Sequence, residues 1–203
     1  MLRSDFLLIV LTTISKIVIG FGLAGLGGFL LAMACVRWEP LEILVHPYIT
    51  FLKSIPVVSF ILLCLLWVSK DLLPIVIVSM VNLPIIYTNV LNGIKSTDIK
   101  LLELASIYKM SYLSILKYIF FPAMKPHLFS ATYLASGIAV KSAIAAEIIG
   151  LPHISVGNSL MSAKIYLETR ELFAWTVIIF IISYMFEKLA AYLLKAFYVV
   201  LES

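Results

Sequence analysis

KSTDIKLLELASIYKMSYLSILKYIFFPAMKP, residues 95–126, is a basic polar island between very apolar runs. It carries Lys95, Lys100, Lys109, Lys117 and Lys125 against only Asp98 and Glu103. An excess of lysine marks the loops of membrane proteins that stay on the cytoplasmic side, so the island sets both a location and an orientation. It also has a helical pattern of its own. Ser96 and Thr97 are good N-caps, and Asp98 suits the positive end of a helix dipole. Leu101, Leu104, Ala105 and Tyr108 recur at helical spacing, with Glu103, Ser106 and Lys109 polar. Residues 111–121 read as a second helical piece, closed by Pro122 and Pro126. Two such pieces with a turn between them form a stiff lever into the flanking spans. A short amphipathic helix outside the membrane either lies on lipid or lays its apolar face in a groove of a soluble partner.

Working outward, 63% of the 203 residues are hydrophobic and only 13% charged. Soluble domains carry roughly 25% charge. With a mean hydropathy of +1.10, too little charge remains to cover a water-soluble fold. The fold class expected is all-α: one polytopic membrane domain, residues 1–203, with about five transmembrane helices. The net charge of +4 fits basic loops facing anionic lipid. The lysines are scattered and the aromatics sit in apolar runs, which argues against nucleic-acid binding. Cys35 and Cys64 lie in apolar runs without CxxC spacing and read as buried free thiols. His46, His127 and His153 are isolated, so no metal site is expected.

The spans expected are residues 14–36, the second half of 41–68, 72–94, 127–149 and 172–191. The N-terminal MLRSDFLLIVLTTISK reads as an interfacial helix leading into the first span. Pro47, Lys53 and Pro56 make the second a surface approach followed by a kinked span. Residues 155–171 form an amphipathic segment between the last two spans. With the island cytoplasmic, the N-terminus falls outside and the C-terminus inside. Arg3 and Lys16 on the outer side are mild exceptions to the positive-inside rule.

Gly20, Gly22 and Gly25 match GxGxxG, but that motif needs a preceding strand and a soluble βαβ unit. The better reading is a stripe of Gly20, Ala24, Gly28 and Ala32, spaced four apart, which lets helix backbones approach closely. Ser106 to Lys109 and Ser114 to Lys117 match SxxK without its companion motifs. No phosphate loop, HExxH or GxSxG occurs, so the chain is expected to be no enzyme and to bind no cofactor itself. Lys141 and Glu147 lie in the fourth span, where ionisable groups are expensive and usually face protein or a water-filled cavity. Lys141 is a candidate partner for an anionic substrate or for an acid on another span. Glu147 either lines a path or snorkels to the outer interface. Asn82, Tyr87, Asn89 and Asn92 give the third span a polar side, read as lining a translocation path in preference to helix glue.

Glu103-Leu-Ala105, then Ser111, then Ile119-Phe-Phe-Pro122-Ala resembles the "EAA" loop of ABC importer permeases. The flanks agree. Residues 41–60, with Lys53-Ser-Ile-Pro56-Val, resemble the "DPLIxFLRxIPxxA" stretch of the nitrate/sulfonate/taurine group. Lys141-Ser-Ala-Ile-Ala-Ala-Glu147 resembles that group's "WxxxVAAE" segment, and residues 155–187 its final external helix and span. Lys109 stands where the family has a turn glycine, which suggests a helix that continues further before bending. Many relatives carry one more N-terminal span; five-span permeases exist among related importers.

The resemblance implies a bacterial inner-membrane permease with an ATPase-coupling loop at Asp98, Glu103, Leu104, Ala105, Ser106, Lys109, Ser111 and Pro122. It implies ATP-binding cassette ATPase subunits that carry the ATP, an extracytoplasmic solute-binding protein, and a second permease copy, a homodimer being expected. The substrate would be a small anion or small organic solute, nitrate-, sulfonate- or taurine-like, or a vitamin precursor. Transport would proceed by rigid-body alternation between two open states. The alternative is a secondary transporter driven by an ion gradient, which predicts an internal repeat that the sequence does not display.

Overall fold

The computed structural model describes residues 5–202, so Arg3 lies outside the described residues. The order is α1 (Phe6–Arg37), α2 (Glu39–Ser54), α3 (Val57–Cys64), α4 (Leu73–Lys95), α5 (Ile99–Ile107), α6 (Tyr112–Ile115), a π turn (Leu116–Phe120), α7 (Phe121–Gly150), α8 (Val156–Ile165) and α9 (Thr169–Glu202). The described residues contain no strand. Four helical stretches are long and apolar enough to cross a membrane, and the bent pair α2–α3 makes a fifth. The protein is an all-α polytopic membrane protein.

Packing sets the direction of each span. Gly20 of α1 lies against Ile75 and Val78 of α4, and Gly28 against Leu83 and Tyr87, so the two helices run parallel. Gly93 of α4 meets Met124 of α7 while Gly150 meets Leu73, so α7 runs antiparallel to both. Phe6 stacks on Trp175, and Phe21 meets Phe186 edge-on, which makes α9 parallel to α1. The pair α2–α3 climbs from Glu42, ion-paired with Lys95, to Ile61 and Cys64, packed with Leu73 and Ala146. Five alternating crossings thus leave α5 at one end of the bundle and α8 at the other.

The break between α2 and α3 has a local cause. Pro56 restricts the residue before it to extended backbone; Ile55 sits at φ −72°, ψ 130°, and α3 leaves at 103° to α2.

Three sequence expectations are corrected. No interfacial helix precedes the first span: α1 is continuous from Phe6 to Arg37. Lys16, a mild exception to the positive-inside rule, is buried inside it and reaches Asp71 at 3.7 Å, so its charge is met without breaking the helix. Pro122 and Pro126 do not close the helical piece after residue 111. Tyr112–Gly150 runs as one 39-residue stretch, because the π turn, with Phe121 N–H bonded to Leu116 O, places Pro122 in a first turn, where its missing N–H is tolerated. The last span likewise extends past residue 191, as part of α9, which carries Lys188 and Lys195.

Candidate coupling and translocation sites

Between α4 and α7 the chain leaves the bundle and forms α5. Asp98 caps it, its Oδ1 accepting from Lys100 N–H at 2.9 Å. At the other end Met110 N–H reaches back to Ala105 O at 2.9 Å and Lys109 N–H to Ser106 O at 3.1 Å. Lys109 takes φ 49°. This is the left-handed closure that glycine usually supplies, achieved with a lysine. The expectation of a longer helix is therefore wrong: α5 ends at Ile107, because the C-terminal carbonyls find partners only if the chain turns there. Ser111 starts the next piece, its Oγ accepting from Ser114 N–H at 3.3 Å.

Only Ala105 of α5 is buried, at 2% exposure. Glu103, Leu104, Ser106 and Lys109 are exposed, and so are Ile99, Leu101, Leu102, Ile107 and Tyr108. A two-turn helix outside the spans thus shows apolar side chains on most of its circumference. Exposed apolar patches of this kind mark interaction surfaces.

The expected path residues divide. Lys141 is exposed on α7, and Asn89 is half-buried on α4, its Nδ2 donating to Ile85 O at 2.9 Å. Asn82, Tyr87 and Glu147 are enclosed within the chain, at 0%, 3% and 0% exposure. Asn82 donates to Val78 O at 2.8 Å, on its own helix. Tyr87 lies on the α4 face that meets α1, beside Gly28, with its hydroxyl 3.5 Å from Cys35 Sγ. The small-residue stripe allows this approach. Ala24 and Ala32 are fully buried, and a Cβ on Gly20 would stand 2.8 Å from Ile75 O.

Glu147 does not snorkel. The Thr13 hydroxyl lies 2.9 and 3.1 Å from its two carboxylate oxygens, and Gly157 N–H donates to Oε2 at 3.0 Å. Val156 N–H in turn donates to Thr13 Oγ1 at 3.0 Å. The first two amides of α8, which no helix can satisfy internally, are thus held by α1 and α7. An anionic carboxylate at a helix N-terminus is also favourable to the dipole. Gly157 is required here, since a Cβ would collide with that of Glu147 and stand 2.9 Å from Ile148 N.

Sequence reasoning did not single out Thr13 or the contact of Lys53 Nζ with Thr88 Oγ1, 2.7 Å long. The polar residue two turns before Lys95 was the available signal for the last. Among the described residues no cluster of His, Cys, Asp or Glu is arranged to hold a metal ion.

Comparison with known proteins agrees with this geometry. Residues 24–199 match the family described as "Binding-protein-dependent transport system inner membrane component", and the chain belongs to that family, the permeases of ABC importers. It is similar to the putative aliphatic sulfonates transport permease protein SsuC of Bacillus subtilis (strain 168), at 24% identity over 84% of this chain and 62% of that protein. It is also similar to the protein of the same name from Escherichia coli (strain K12), at 29% identity over 66% of this chain and 50% of the relative. The chain thus spans about half to three-fifths of the curated relatives it matches. A solved structure of an amino acid ABC transporter with histidines shares the fold, with a TM-score of 0.71 at 17% identity over 92% of this chain and 91% of that one.

Proposed function

We propose that this chain is the membrane subunit of an importer for small anions of the aliphatic sulfonate kind, working as a pair of copies. In this reading α5 is the element gripped by a separate ATPase, and a solute-binding protein delivers substrate at the α8 end. That orientation puts the N-terminus outside and the C-terminus in the cytoplasm. The observation that carries the reading is α5: a capped helix outside the spans, apolar over most of its surface, with only slight contact to the rest of the chain. The turn at residues 108–111 links it to α6, which is continuous through the π turn with α7, so displacement of α5 pulls on a helix that reaches the far end of the bundle. The names of the sulfonate permeases support the substrate class, and the exposed Lys141 agrees with it. ATP is bound by the partner, not by this chain.

The test is purification of the tagged chain from membranes in mild detergent, beside Glu103→Lys and Leu104→Ser. The parent chain is expected to bring an ATPase near equal stoichiometry. Both variants, exposed and outside the core, are expected to fold yet lose most of it. A parent preparation without ATPase, active instead in liposomes carrying an ion gradient, overturns the reading.

A further inference from the structure

The Pro56 break opens a cavity of about 350 Å³ between the α2–α3 corner, α4 and α7. Its lining includes Leu52, Lys53, Val57, Met80, Pro84 and Ile138. All but Lys53 are apolar. Lys53 itself is exposed. Its ammonium donates to Thr88, which lies two turns of α4 before Lys95, or about 10 Å at 1.5 Å per residue. Lys95 marks the α5 end by its pairing with Glu42.

Lys141, exposed on α7, is not itself a lining residue of the recess. It follows Ile138 by three residues on α7, so the two share a face of that helix, and α7 runs toward the α8 end. The recess thus carries one cation in its lining, Lys53, with Lys141 about one turn further along α7 than Ile138.

Three acids of the bundle are committed elsewhere. Glu42 pairs with Lys95, Asp71 with Lys16, and Glu147 with Thr13 and Gly157. No lining residue is acidic, and among the described residues no carboxylate forms an ion pair with Lys53 or Lys141. A lysine left unneutralised inside a membrane domain marks a substrate or ion pathway. Low-dielectric walls around one sign of charge raise the local concentration of the opposite ion.

We infer that the recess beneath the α2–α3 break is an anion subsite, in which Lys53 sets the sign of the charge admitted and Thr88 holds its ammonium in place. The recess suits a small organic anion with a short apolar body: the walls take the chain and Lys53 the acid group. This rests on the permease reading above.

The test uses Ile138→Cys in the full chain, in open membrane fragments containing the assembled complex. The probes are 2-sulfonatoethyl methanethiosulfonate, itself an aliphatic sulfonate, and its trimethylammonioethyl counterpart. Rates are corrected for each reagent's rate with a free thiol, and the parent chain with its two buried cysteines is the blank. The anionic reagent is expected to react at least about ten times faster than the cationic one. Lys53→Met is expected to abolish that preference, and Lys53→Arg to keep it. Equal rates with Lys53 present, or a preference that survives Lys53→Met, overturns the subsite. So does a cysteine inert to both reagents in a complex that still hydrolyses ATP and takes up solute, which would leave the permease reading standing. Absence of any ATPase from the complex sinks the permease reading alone, because the labelling rates are read on the chain itself.

Discussion

Lys109 occupies a backbone region that costs an ordinary residue about 1–2 kcal/mol, and nothing is gained from its side chain, which is exposed. Lys109→Gly is therefore expected to raise the stability of the isolated protein by up to about 1 kcal/mol, net of glycine's own entropy, read as a higher Tm in detergent. Gly157 poses the opposite case. Any Cβ there drives into Glu147 and the α7 backbone, and overpacking of this kind costs about 1–3 kcal/mol. Gly157→Ala is expected to lower Tm and the yield of folded protein. Glu147→Gln, which keeps the shape and an acceptor, is expected to lower them less than Glu147→Ala, which strands the Thr13 hydroxyl and the Gly157 amide.

At the scale of elements, the contact between α1 and α4 depends on side chains that are absent. Gly20 and Gly28 let two helix backbones touch, and Tyr87 fills the space this leaves near Cys35. Gly28→Leu is expected to separate the helices and abolish folded protein in a detergent-stability assay. Gly25→Leu, at a position with open space around it, is expected to be tolerated. The stripe was legible in the sequence because spacing of four on a helix is geometry. The location of α5 was legible too, from Asp98 and the lysine-rich island. What the stripe packs against was not legible, nor was the fate of Asn82 and Tyr87. Periodicity ranks the faces of one helix relative to one another but does not say which face meets a neighbour. The partner of Glu147 was hidden for the same reason: Thr13 lies in an apolar run 134 residues earlier, and only the parallel packing of α1 and α4, with α7 between α4 and α9, brings the two together. The end of α5 was misjudged because a lysine does what glycine usually does.

For the whole molecule, five crossings leave a recess open on one side, lined by α2, α3, α4 and α7. The arrangement also makes a plain prediction of sidedness. Cysteines placed at Tyr166, exposed between α8 and α9, and at Leu104 on α5 are expected to differ in intact cells. The first reacts with a membrane-impermeant thiol reagent, and the second reacts only after permeabilisation. The reverse pattern would invert the proposed orientation and with it the role given to α5.

The carboxylate of Glu147 has a consequence for how the protein is made. The stretch Tyr112–Gly150 is the least apolar of the four long helices, and it brings a buried acid into the lipid near its far end. Entering a bilayer alone, that helix would carry an acid group without hydrogen-bond partners, unfavourable whether charged or protonated. Because synthesis proceeds from the N-terminus, Thr13 is already in the membrane when Glu147 leaves the ribosome, while Gly157 follows ten residues later. The first helix is thus placed to assist the insertion of α7.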